Sequence, residues 1–229
     1  MNRKALLLMV CAVALVTVSV LGTTAYLTSR DSVQNTFTVG AVDLRLDEAA
    51  VNPDGTYKTD AANRVQKNVY HLLPGRTYIK DPTVTVEQGS TESYVRMVVA
   101  VENLHLLKQA LPEATYYTDL DGDSRDDDFI LELLLDGSWK YGVWHFAGYT
   151  ESSDGKTGTY EFRYSTTVDA SQATGDVTLE PLFEKIKIPG NVDNAHLEKL
   201  QTVQVVIQAH AIQAEGFDTA EDAWRAFGA

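Results

Sequence analysis

The sequence predicts a mainly β protein: a jelly-roll-like β-sandwich with a few short helices, preceded by an N-terminal signal peptide helix. Three observations predict it. Seven or more short segments alternate apolar with polar residues, or are rich in Val, Ile, Thr, Tyr and Phe. Turn formers (Gly, Pro, Asn and Asp) separate these segments at short intervals. Helical spacing is confined to a few short stretches, as expected of two packed sheets.

At the N-terminus, Arg3 and Lys4 precede the apolar run Ala5 to Leu21, ALLLMVCAVALVTVSVL, and small residues follow at Gly22, Thr23, Thr24 and Ala25. This is the pattern of a signal peptide over residues 1–25, cut after Thr24 or Ala25 by a signal peptidase. An uncleaved anchor is the alternative, because the run approaches the ~18–20 residues that span a bilayer. Small residues behind the run, and no basic stop-transfer cluster, favour cleavage. The membrane is then a partner of the precursor only. Cys11, the one cysteine, continues into apolar residues without a lipobox and reads as a small hydrophobe. The mature chain would have no disulfide and no Cys metal site.

Residues 26–229 are expected to form one domain. From Gln34 to Leu46 the alternation changes phase: Phe37 and Val39 share one parity, Val42, Leu44 and Leu46 the other. An extra residue is needed there, and Gly40 is where a bulge is sterically easiest. Asn52 to Asn68 is polar and turn-rich, a loop or mobile hairpin. A strand is expected around Thr83 to Glu87. Ser93 to Asn103, SYVRMVVAVEN, reads as a strand buried on both faces. Leu104 to Leu111 has helical spacing up to Pro112, whereas Phe129 to Leu135 fits a short helix or a buried strand. Strand signals return at Trp139 to Phe146 and in GTYEFRYSTTV, where Tyr160, Phe162 and Tyr164 share a side. Leu182 to Ile188 alternates again, and Asn194 is placed to cap a helix over AHLEKL. Thr202 to Ala214 is the longest strand, with Val203, Val205, Ile207, Ala209 and Ala211 on one face. Thr219 and Asp222 form a capping box for a C-terminal helix over 219–227, burying Ala220, Ala223, Trp224 and Phe227.

Charge and motifs narrow the function. With 19 Lys and Arg against 32 Asp and Glu, the formal charge is −13, which disfavours nucleic acid and anionic lipid as partners. The histidines at 71, 105, 145, 196 and 210 are scattered, with no H-E-x-x-H pair, G-x-S-x-G elbow or P-loop. No catalytic residues are expected. One stretch, DLDGDSRDDD, places Asp119, Asp121 and Asp123 at alternate positions with Asp127 behind them, and calcium is its candidate ligand. Ser124 and Ile130 stand where an EF-hand loop has Gly and Glu, so a solvated acidic turn remains the alternative.

Three segments together resemble the TasA/camelysin family of secreted bacterial matrix proteins: AYLTSRDSVQNTFTVGAVDLRL, LLPGRTYIKDPTVTVEQGSTESYVRMVV and QAHAIQAEGFDTAEDAWRAF. LEPLFEKIKIPG is similar to the family's stretch before its last long strand. The resemblance implies export, a dedicated signal peptidase, a jelly-roll sandwich, and assembly with other copies into extracellular biofilm-matrix or cell-surface fibres. It implies that the segment behind the cleavage site is a donor strand for the next subunit. On this chain that is residues 26–40, with Tyr26, Leu27, Val33, Phe37, Val39 and Gly40 as the interface. Matrix or accessory proteins are possible further partners. Two other readings are a camelysin-like metalloendopeptidase, which lacks a recognisable zinc motif here, and a monomeric surface-binding module stiffened by calcium.

Overall fold

Alternating side chains build the centre of the molecule. The structure is a computed structural model that describes residues 38–39, 42–111, 117–118, 128–129, 140 and 142–228, all within the unit Asn35–Ala229. In chain order its strands begin with β1 (Thr38–Val39), β2 (Leu44–Ala49), β3 (Arg64–Val65), β4 (Thr77–Ile79) and β5 (Thr83–Val86). They continue with β6 (Ser93–Glu102), β7 (Tyr117–Thr118), β8 (Asp128–Phe129), β9 (Trp144–Glu151) and β10 (Thr157–Tyr164). The last are β11 (Val177–Thr178), β12 (Lys185–Lys187) and β13 (Gln204–Gln213). Three helices interrupt them among the described residues: α1 (Leu104–Ala110), α2 (Asn194–Leu200) and α3 (Ala220–Phe227). The protein is mainly β.

One sheet has five strands in the order β1-β13-β6-β10-β9, and a second has four in the order β11-β5-β2-β3. Two-stranded pairs join β12 to β4 and β7 to β8. The larger sheet is antiparallel apart from β1, which runs parallel to β13 with Thr38 opposite Ala211 and Val39 opposite Ile212. Residues of both main sheets meet in one apolar cluster: Leu44, Val84 and Val86 from the smaller, Val95, Met97, Tyr160, Phe162 and Ala209 from the larger. Each of the Leu, Val, Met and Phe side chains contributes about 1.5–3 kcal/mol when removed from water.

β6 alternates between buried and half-buried residues up to Val101 and ends exposed at Glu102, so Val95, Met97, Val99 and Val101 enter the main core. The strand is therefore not buried on both faces: its other face is half-buried and carries Tyr94 and Arg96 beneath α3. On the neighbouring strands the register slips between Glu161 and Phe162, leaving Ala147 of β9 without an opposite residue. This bulge reverses the facing of β9, so Phe146 and Tyr149, three apart, both meet the aromatic row of β10.

Asn52 to Asn68 is tied down rather than mobile. Asn68 imitates a paired strand, its Oδ1 accepting from Val51 N at 2.9 Å and its Nδ2 donating to Ala49 O at 2.8 Å. Arg64 donates through Nε to Asp47 at 2.8 Å and through Nη1 to Asp81 at 2.6 Å. Lys80 pairs at 2.7 Å with Glu48, which is buried. Burial, and then the nearby Glu48, push the Tyr70 phenol above its ordinary range, so it stays a neutral donor to Ile79 O at 3.0 Å. Arg64→Met strands two carboxylates that keep only partial solvent contact. The expected loss lies between the ~1 kcal/mol of exposed pairs and the ~3–5 kcal/mol of buried ones, read from the urea midpoint.

Candidate functional site at the edge of the larger sheet

β13 is held on one side along its whole length, from Gln204 opposite Glu102 to Gln213 opposite Ser93. On its other side β1 reaches only Ala211 and Ile212. From Gln204 to His210 no strand pairs with that edge among the described residues. Along β13, Ala209 and Ala211 are buried, but Gln204 and Val205 are exposed, Val205 at 38%. The apolar alternation thus weakens toward the start of the strand.

At the far end of β13 lies α3. Thr219 caps it, its hydroxyl oxygen accepting from Asp222 N at 3.1 Å, as the capping box predicts. Ala223 and Trp224 are buried against Ile212, with Tyr94, Phe217, Ala220 and Phe227 around them. Under the helix, the Arg96 guanidinium stacks 4.5 Å from the Trp224 ring centre and 4.8 Å from that of Phe227. Its Nε donates to His210 Nδ1 at 3.2 Å and its Nη1 to Glu161 at 3.1 Å. Arg163 joins Glu161 at 2.7 Å and reaches Glu221 at the start of α3. Burial lowers the His210 pKa, and the Arg96 charge lowers it further, while Glu161 opposes both. Hydrogen bonding to Arg163 holds the Glu221 carboxyl below its ordinary range. Trp224 Nε1 is buried and finds no acceptor among the described residues.

Of the residues expected at a donor-strand interface, Val39 lies in β1, paired with Ile212. Tyr26, Leu27, Val33, Phe37 and Gly40 lie outside the described residues, as do the cleavage residues Thr24 and Ala25. Asp119, Asp121, Asp123 and Asp127 also lie outside them. The segment that holds them is bracketed by β7 and β8, with Tyr117 opposite Phe129 and Thr118 opposite Asp128. Among the described residues no three His, Cys, Asp or Glu side chains gather as a metal site, and no helix is long and apolar enough to cross a membrane.

Sequence reasoning missed the bracket around Arg96. Its signals were present: a lone arginine inside SYVRMVV, and a histidine inside the apolar strand QVVIQAHAI. Both point away from the main core, toward the face that α3 covers. The chain matches no family model, no curated protein and no solved structure.

Proposed function

We propose that the chain is the precursor of a secreted structural subunit, of TasA/camelysin type, that assembles head-to-tail with other copies into an extracellular matrix or surface fibre. In this reading the fold is a jelly-roll sandwich and its role is structural, not catalytic. Export removes residues 1–25, and residues 26–40 act as a donor strand. The observation that carries the reading is β1, part of the segment 26–40, seated parallel to β13 on its edge at Ala211 and Ile212. A segment that seats on such an edge in its own subunit can take the equivalent seat in a neighbour, an exchange of identical elements. Main-chain hydrogen bonds then give affinity, and alternate side chains give register. Because the contact is heterologous it need not close, and a filament follows. Losing Arg3 and Lys4 takes the formal charge from −13 to −15, which opposes close stacking, so growth should quicken as salt or multivalent cations screen it.

Negative-stain microscopy of the secreted form beside a variant lacking 25–40 tests this. Filaments are expected from the complete protein alone, and a peptide spanning residues 25–40, added in excess, should shorten them. Filaments from both forms overturn the donor-strand assignment; filaments from neither overturn the fibre. N-terminal sequencing of the exported form should start near Ala25 or Tyr26.

A further inference from the structure

We propose that α3 is a proton-released clasp: protonation of His210 breaks the bracket that Arg96 forms with it and lifts the C-terminal helix from the outer face of β6 and β13. This goes beyond the fibre reading and does not depend on it.

The geometry gives His210 one competent state. Arg96 has only donors, so its Nε bond at 3.2 Å requires Nδ1 of His210 to be an unprotonated acceptor. A proton on Nδ1 removes that acceptor and sets an imidazolium against a guanidinium. Arg96 is also the platform on which α3 rests, through Trp224 and Phe227, and the His210 ring itself lies 5.1 Å from that of Phe227. Displacing Arg96 therefore acts on the helix directly.

The charges facing His210 set the balance. Arg96 on β6 opposes its protonation, and Glu161 on β10 favours it. Glu161 is already committed to Arg96 and Arg163, and Arg163 is committed further to Glu221 on α3. Asp222 and Arg225 of α3 bond to each other. Of the carboxyls, Glu221 is held below its ordinary range by its hydrogen bond to Arg163.

The clasp is poised for release. α3 has eight residues, too few to be stable alone in water, so its helicity depends on docking. Docking also leaves the Trp224 indole N–H without an acceptor among the described residues, an unfavourable term that release into water removes.

The sign follows from linkage. A histidine whose folded pKa is depressed stabilises the docked state fully above the unfolded value of about 6.5, and this is lost as pH falls from there toward the folded value. Hydrogen exchange of the purified full chain, followed by mass spectrometry from about pH 7.5 to about pH 5 and corrected for chemical exchange, reads it. Protection of peptides covering α3 should fall about tenfold for each unit by which the histidine is displaced, while β6 and β10 keep theirs. In His210→Gln, whose amide oxygen accepts from Arg96 but gains no proton in this range, the step should vanish. Protection of α3 that does not change with pH in the parent protein overturns the proposal, whatever the variant does. So does an equal step in His210→Gln, or parallel loss across the whole sheet.

Discussion

Trp144→Ala should destabilise the protein by about 3–5 kcal/mol, one of the largest losses available from a single side chain. Trp144 is 1% exposed, near the start of β9. Its indole Nε1 donates to Glu180 O at 3.0 Å, and its ring meets Tyr164 edge-on with centres 5.1 Å apart. Truncation opens a cavity and removes a hydrogen bond and an aromatic pair together. For a domain of this size the midpoint of thermal unfolding should drop on the order of 10 °C. Trp144→Phe separates the contributions: it restores most of the volume without the hydrogen bond to Glu180 O, so about 0.5–1.5 kcal/mol should remain. Urea unfolding of both variants, with unchanged slopes, checks this.

The second large effect belongs to Gly55. Its φ is +81°, and a Cβ there would stand 2.5 Å from Tyr78 Cδ1 and 2.7 Å from Tyr78 Cα. Tyr78 is fully buried in β4, and a backbone Cα cannot be moved by a change of rotamer. Gly55→Ala therefore adds the left-handed penalty of about 1–2 kcal/mol to an overpacking cost of about 1–3 kcal/mol. Gly89 supplies the control. Its φ is +90° with nothing within 4 Å of the added atom, so Gly89→Ala should show the conformational part alone, about 1–2 kcal/mol. A Gly55→Ala loss no greater than that of Gly89→Ala would remove the close approach as an explanation.

These two positions mark what the sequence makes legible. Local pattern read well where one residue type repeats on one face: the Tyr160–Phe162 row, the long strand at Gln204–Gln213, and a C-terminal helix announced by Thr219 and Asp222. The helix at Leu104–Ala110 followed from spacing alone, although its cap is Asn103 in a left-handed conformation, which spacing does not reveal. One cap fell a residue off. Asp193, not Asn194, accepts from His196 N at 2.9 Å, because both residues are good caps and only tertiary placement chooses between them. The segment Asn52–Asn68 looked mobile because its attachments are non-local: Asn68 to β2, Arg64 to Asp81, Gly55 to Tyr78. No window along the chain contains both halves of such a contact. The bracket of Arg96, Glu161, His210 and Trp224 escaped notice for the same reason, since its members come from β6, β10, β13 and α3. The apolar run Ala5 to Leu21 and the acidic stretch Asp119 to Asp127, by contrast, lie outside the described residues.

Because β13 lies between β1 and β6, the residues that receive Thr38 and Val39 are Ala211 and Ile212, close to the opposite end of the polypeptide. Pairings so distant along the chain are slow to form, since a long loop must close before any contact rewards it. A ribosome making this chain would release the last strand of the larger sheet long after the first. Until then Thr38 and Val39 have no partner in the sheet.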